Sequence, residues 1–206
     1  KTGAGEPFKV FTPFWRACRQ LAPPDRPLPA PSRLEAPKEW PLGDDLDTWR
    51  LLPRRPDWAG GLRDNWRPGE AGAHERLRSF VDDVLSRYRD ERDLPARVST
   101  SRLSPHLAFG EISPRQIWHA ATAREPSAST EKFLAEVGWR EFCYNLLFHN
   151  DGLRERNFRP EFDAFPWIDD EAALEAWQRG RTGYPIVDAG MRELWTTGWM
   201  HNRVRM

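Results

Sequence analysis

From Gly72 onward the apolar residues recur at the spacing of one helix face. Leu77, Phe80, Val81, Val84, Leu85 and Tyr88 are separated by steps of three and one, the period of an amphipathic helix laid on a core. A half-buried strand needs a period of two, and none appears after residue 72, so this part of the chain is predicted to be all-α. Ser113-Pro114 predicts a cap followed by proline at the first helical position, leading into Ile117, Trp118 and Ala121. Ser129 or Thr130 is the expected cap of the next helix, which offers Phe133, Leu134, Val137, Gly138, Leu146 and Leu147 for burial. Two shorter helices are expected over 171–178, with a stop at Gly180, and over 184–196, with a stop at Gly198.

The first seventy residues read differently. Phe8, Val10, Phe11, Phe14 and Trp15 form a dense apolar group with a short helical pattern from Phe14 to Leu21, and they need a partner surface that this chain need not contain. From Ala22 to about Gly72 the sequence is rich in Pro, Arg and Asp, with isolated Trp40, Trp49, Trp58 and Trp66 and no sustained period. An ordered but irregular connector is expected, because four wholly exposed tryptophans would be costly. No internal repeat stands out.

Charge excludes little and localises much. Lys+Arg and Asp+Glu are 31 each in 206 residues, for a net charge of +0, so any nucleic-acid face must be local. Nearly all the positive charge is Arg, which suits bidentate phosphate contacts and is equally what a compositional bias would produce. Cys18 and Cys143 make no metal-ligand spacing with each other or with the five histidines, which predicts a reduced intracellular protein without a metal. No apolar run reaches membrane-spanning length, so no membrane partner is expected.

Three groups of residues are candidates for chemistry. Thr100-Ser101-Arg102-Leu103-Ser104-Pro105 collects three hydroxyls, backbone N–H groups and an Arg just before an expected helix, which is how a phosphate is held; a simple helix start has the same look. Glu136, Trp139, Arg140 and Cys143 share one helix stripe, where an acid, a large aromatic and a cation can hydrogen-bond, stack on and neutralise a nucleotide. The plainer alternative is a Glu136–Arg140 surface pair beside a core Trp. The third group, Asn202, Arg203, Arg205 and Met206, follows Gly198 and reads equally as solvated surface.

Taken together in order, the blocks resemble a known family. Thr100 to Pro105 with Gly110-Glu111-Ile112-Ser113-Pro114-Arg115-Gln116, then Glu136-Val137-Gly138-Trp139-Arg140-Glu141-Phe142, then the run from Trp177 to Met206 are similar to the flavin-binding helical domain of the photolyase/cryptochrome family. Val10-Phe11-Thr12-Pro13-Phe14-Trp15 resembles the end of that family's N-terminal antenna domain. The resemblance implies a mainly α fold: a remnant of an α/β antenna domain over 1–21, an interdomain connector over 22–72, and the first portion of the helical FAD-binding domain over 73–206. It also implies an internal fragment of a longer enzyme, since the chain starts at Lys1 and stops at Met206, before the family's Asp-x-Asp-x-x-x-Asn segment.

Site roles follow from the same resemblance. Thr100, Ser101, Arg102, Leu103 and Ser104 would hold the phosphates of FAD, and Tyr88 and Arg205 would also touch the cofactor. Trp139 would stack on a damaged dinucleotide, Glu136 would hydrogen-bond its base edge, and Asn202 and Met206 would line the pocket. Arg92, Arg140 and Arg203 would face DNA, and Trp167 would be the surface end of a tryptophan electron-transfer chain. Photolyases for (6-4) lesions carry His at the positions of Asn202 and Met206, so the implied substrate is DNA with cyclobutane pyrimidine dimers. The expected parent is a class I-type, monomeric, cytoplasmic photolyase, nucleoid-associated when bound to DNA, with a second antenna chromophore of folate or deazaflavin type on the α/β domain. A cryptochrome-type blue-light receptor is the alternative, and an inactive scaffold is expected for the isolated chain.

Overall fold

The structure, a computed structural model, describes residues 2–3 and 5–205. The helices in chain order are α1 (Phe11–Arg19), α2 (Gly60–Asn65), α3 (Glu70–Ser79), α4 (Tyr88–Glu91), α5 (Ser104–Ala108), α6 (Pro114–Thr122), α7 (Ala128–His149), α8 (Glu171–Gln178), α9 (Pro185–Thr197) and α10 (Asn202–Arg205). No strand occurs among the described residues, as the absence of alternation requires. The chain forms two compact units, residues 1–26 with 68–175 and residues 27–67 with 176–206.

In the first unit the core is built by the predicted face: Leu77, Phe80, Val81, Leu85 and Tyr88 meet Ile117 and Ala121 of α6 and Phe133 and Leu134 of α7. Phe80, Tyr88 and Phe133 form a ring triangle with centroids 4.5 to 5.7 Å apart. The helix expected to run unbroken through Tyr88 does not. It widens into a π turn over Phe80–Val84 and tightens over Leu85–Arg87 before α4 begins, while its apolar face stays on one side. Nothing in the sequence explains the break.

Caps behave as short-range chemistry predicts until a long-range partner intervenes. Ser113 and Gln116 form the full reciprocal box: the Gln116 N–H donates to Ser113 Oγ at 3.2 Å and the Ser113 N–H to Gln116 Oε1 at 2.7 Å. The cap of α7 is Ser127, which accepts from the Thr130 N–H at 3.0 Å, rather than Ser129 or Thr130. Ser129 is withdrawn because its hydroxyl donates to the Ser86 carbonyl and accepts from the Arg89 N–H, tying α7 to the segment before α4.

The N-terminal apolar group finds its partner surface within the chain. α1 lies along α7, and a Cβ at Gly138 would overlap the Trp15 indole, so the absence of a side chain there is what admits the ring. Phe14 packs on Phe142, and the Trp15 and Trp118 rings meet edge to face at 6.2 Å. Arg19 closes the contact with an ion pair to Glu131 at 3.1 Å.

In the second unit α2 packs on α9, and Trp66 donates its indole N–H to the Thr197 carbonyl. Gly198 ends α9 in the left-handed conformation, φ 72°, as its position predicts. Asp188 in the first turn of α9 is buried and accepts from the Thr182 N–H at 2.7 Å, the Thr182 hydroxyl at 2.6 Å and the Gly183 N–H at 3.1 Å. These bonds hold its carboxyl below the usual range, the Thr182 hydroxyl contributing most. The expected covering of the connector tryptophans is not found. Trp40, Trp49 and Trp58 are exposed, as are the leucines around them, because 27–67 carries only one turn of helix besides α2 and does not fold its apolar side chains together.

Candidate functional site

Leu103 is the anchor of the first candidate region. It is 2 % exposed and its backbone stands at the start of α5, so core packing fixes where the helix begins. No side chain caps that start. Just before it Arg102 takes a left-handed backbone, φ 51°, which a non-glycine residue adopts only when its surroundings impose it. Ser99 is fully buried and donates to the Glu91 carbonyl, tying the segment to α4. On the far side His106 is buried and hydrogen-bonds Glu111, which also accepts from the Gly69 N–H at 2.8 Å.

Sequence reasoning missed the second cation here. Arg76 of α3 is half-buried, and its guanidinium is held below its ordinary value by burial first and then by the charge of Arg102. The Arg102 charge disfavours the Arg76 cation and the Glu75 charge favours it, so an added anion beside the two guanidinium groups would act in the same sense as Glu75. The influence of Arg102 on Arg76 spans 26 positions, so no local pattern reveals it.

A second cluster joins α4 to α7. Arg92, with 11 % of its side chain exposed, donates to the Glu136 carboxylate through Nη1, lies 3.5 Å from the Tyr88 hydroxyl and reaches Asp93 at 3.2 Å. Lys132, one turn before Glu136, approaches the same Oε1 atom at 3.4 Å. Tyr88 is buried, and burial pushes its phenol up to about 12, with the Arg92 cation opposing and Glu136 and Asp93 adding. The expected alternative, a Glu136–Arg140 pair, does not form. Arg140 instead folds back over Tyr144, donating to its hydroxyl at 3.1 Å and to the Leu107 carbonyl at 3.4 Å.

Trp139 is 41 % exposed, one turn along the same stripe. One of its faces lies against Phe11, with centroids 3.9 Å apart and planes 9° from parallel, and Phe142 meets it edge to face at 5.7 Å. An indole held on one face presents the other as a flat apolar surface beside an acidic group. Trp167 is exposed, its ring tilted against Phe165 at 4.7 Å. In the second unit Asn202, Arg203 and Arg205 are exposed on α10; Arg205 donates to the Met200 carbonyl, and the Arg203 N–H to buried His201. Met206 lies outside the described residues.

The structure thus brings Tyr88, Arg92 and Glu136 into contact, sets Trp139 beside Glu136 on one helix, and gathers Thr100 to Ser104 around an uncapped helix start. Phe11, Lys132 and Arg76 join these groups. Only Lys132, at the i,i+4 spacing from Glu136, carried a sequence signal. Among the described residues no helix is long and apolar enough to cross a membrane.

The chain is similar to known proteins in sequence and in fold. Residues 133–206 match the model of the FAD binding domain of DNA photolyase. The chain is 52 % identical over 209 residues to the deoxyribodipyrimidine photo-lyase of Agrobacterium fabrum, with all of this chain and 44 % of that protein covered. It is 34 % identical to Cryptochrome-1 of Arabidopsis thaliana, over 98 % of this chain and 31 % of that protein. The solved structure of a bacterial class III photolyase from Agrobacterium tumefaciens superposes with a TM-score of 0.95 at 52 % identity, covering the whole of this chain and 43 % of the other. The chain therefore spans less than half the length of these relatives. In fold and sequence the chain is thus similar to a part of proteins of the DNA photolyase/cryptochrome family, with residues 133–206 matching the FAD binding domain of DNA photolyase.

Proposed function

We propose that this chain is part of a protein that carries out light-dependent repair of cyclobutane pyrimidine dimers in DNA, with FAD as cofactor. The observation that carries the reading is the half-exposed Trp139, clamped on one face and set one turn after Glu136, whose carboxylate is held by Arg92 and Lys132. A flat apolar ring next to a fixed acceptor fits a flipped-out pyrimidine pair: the ring stacks, and the acid orients a base N–H. With both cations on Oε1, Oε2 is the atom that would accept.

The residues present fit FAD. The uncapped start of α5, with Thr100, Ser101 and Ser104 around it and Arg76 under the influence of the Arg102 charge, suits a diphosphate; Leu103 fixes the segment's position, and Tyr88 and, by the family resemblance, Arg205 are further proposed cofactor residues. Bound and reduced, FAD would supply under light one electron that opens the dimer's ring bonds and then returns to the flavin. The chain's part is to bind, orient and polarise. Asn202 and Met206 would line the dimer pocket, and Arg92, Arg140 and Arg203 would lie toward DNA. Trp167, exposed at the surface, would relay electrons inward. Residues 1–21 would belong to the antenna domain, where a folate or deazaflavin chromophore would sit, with 22–72 as connector and 73–206 as flavin domain. The protein would act as a cytoplasmic monomer.

For the subclass, the sequence motifs point to class I, whereas the whole-chain likeness is to a class III structure at 52 % identity. We take class III, because that likeness rests on every part of the chain. A blue-light receptor is the second reading, favoured by the 34 % identity to an Arabidopsis cryptochrome. The test is illumination of the full-length, flavin-loaded protein with DNA carrying dimers, followed by chromatographic counting of dimers. Loss of dimers in light and not in darkness supports repair. Persistence of dimers while the flavin responds to light favours the receptor.

A further inference from the structure

Trp15, Phe11 and Trp139 form a ladder of nearly parallel rings. Phe11 lies 9° from the plane of Trp139 with centroids at 3.9 Å, and 12° from the plane of Trp15 at 6.1 Å. Phe11 and Trp15 are one helical turn apart on α1, so fixing one fixes the other. The fix is at Gly138, where the missing side chain admits the Trp15 indole against the backbone of α7. Trp139 is the next residue, so the register set at Gly138 also delivers Phe11 to the face of Trp139.

From this geometry we infer that Phe11 is a positioning residue for substrate recognition: it fixes the plane of Trp139 so that the free indole face is ready to stack on a pyrimidine dimer. The inference rests on the proposed role of Trp139 and adds a residue to it. An unsupported, 41 % exposed indole would sample several orientations and lose that freedom on binding; a ring already stacked on one face has lost it beforehand. Phe142, buried beneath both rings, meets Phe11 and Trp139 edge to face at 5.9 and 5.7 Å and blocks rotation toward the core. The binding energy of the base is then available for discrimination rather than for ordering the site.

Phe14 supplies the control. It anchors the same helix on Phe142 and Phe8, and none of its ring contacts is with Trp139. The experiment compares dissociation constants of the full-length protein, in darkness, for a duplex with one cyclobutane dimer and for the undamaged duplex. Phe11→Leu, which keeps apolar volume without a ring, is expected to lower the ratio roughly threefold to tenfold, the size of one aromatic pair contribution. Phe11→Tyr restores the ratio, and Phe14→Ala lowers the melting temperature while leaving the ratio intact. An unchanged ratio in Phe11→Leu alongside a reduced ratio in Trp139→Ala overturns the role of Phe11 alone. An unchanged ratio in both variants overturns the role of Trp139 and this inference with it. A loss in Phe14→Ala equal to that in Phe11→Leu reduces the effect to loosening of α1 and also overturns the proposal.

Discussion

The indole of Trp15 occupies the space that a side chain at residue 138 would fill. This contact seats α1 on α7 together with Phe14 on Phe142, Phe11 on Trp139 and the Arg19–Glu131 ion pair. Gly138→Ala forces either the ring or the helix to move, and overpacking of this kind costs roughly 1–3 kcal/mol. A chain of this size should lose about 2–4 °C in melting temperature per kcal/mol. Thermal unfolding followed by circular dichroism checks it; an unchanged midpoint means that α1 is not held at this position.

The proposed diphosphate site makes a prediction about which part of the cofactor is recognised. Arg76→Gln removes one of two neighbouring guanidinium groups and should weaken FAD binding about tenfold, in line with the loss of one charge-assisted contact. Riboflavin lacks the phosphates, so its affinity should hardly change. Fluorescence titrations with both ligands separate the cases, and equal losses would remove Arg76 from the phosphate site.

Arg92 and Arg203 should behave differently toward DNA. Arg203 is exposed on α10, and Arg92, with 11 % of its side chain exposed, holds Glu136, Asp93 and Tyr88. Arg203→Ala should weaken damaged and undamaged duplexes alike and reduce the slope of log affinity against log salt by about 0.9, one phosphate contact. Arg92→Ala should leave the slope unchanged and reduce only the preference for damaged DNA, through the loosened Glu136. Binding isotherms at four salt concentrations decide between these behaviours.

Asp188 predicts a pH dependence. Its carboxyl titrates below the usual range because the Thr182 hydroxyl, the Thr182 N–H and the Gly183 N–H bind the ionised form. A depressed folded-state value stabilises the fold above the ordinary carboxylate value of about 3.9, and that contribution disappears as pH falls through the folded-state value. Asp188→Asn should therefore be less stable than the parent at neutral pH, with the gap closing in acid below about pH 4. Urea midpoints measured across pH 3 to 7 test it; a constant gap would mean that ionisation of Asp188 contributes nothing.

These residues also mark how far the sequence could be read. The Ser113/Gln116 box lies within four residues, and the 77-to-88 apolar face has a helical period, so both were legible from local chemistry. Ser129 misled because its hydroxyl is taken by a carbonyl 43 positions away. The ladder from Trp15 to Trp139 and the influence of the Arg102 charge on Arg76 join distant segments through packing that no local period encodes. Trp40, Trp49 and Trp58 show the converse limit: apolar character does not bury a side chain when its segment lacks a surface to fold against. The site residues came from ordered motif blocks and the partners that hold them came from the structure.

The most direct test of the account is the effect of Trp139→Ala on discrimination by the full-length protein in darkness. Stacking on one base contributes roughly 1–3 kcal/mol, so affinity for the dimer-containing duplex should fall about fivefold or more while affinity for the undamaged duplex stays near its starting value. Equal losses on the two duplexes would contradict the assignment of this surface to the pyrimidine dimer.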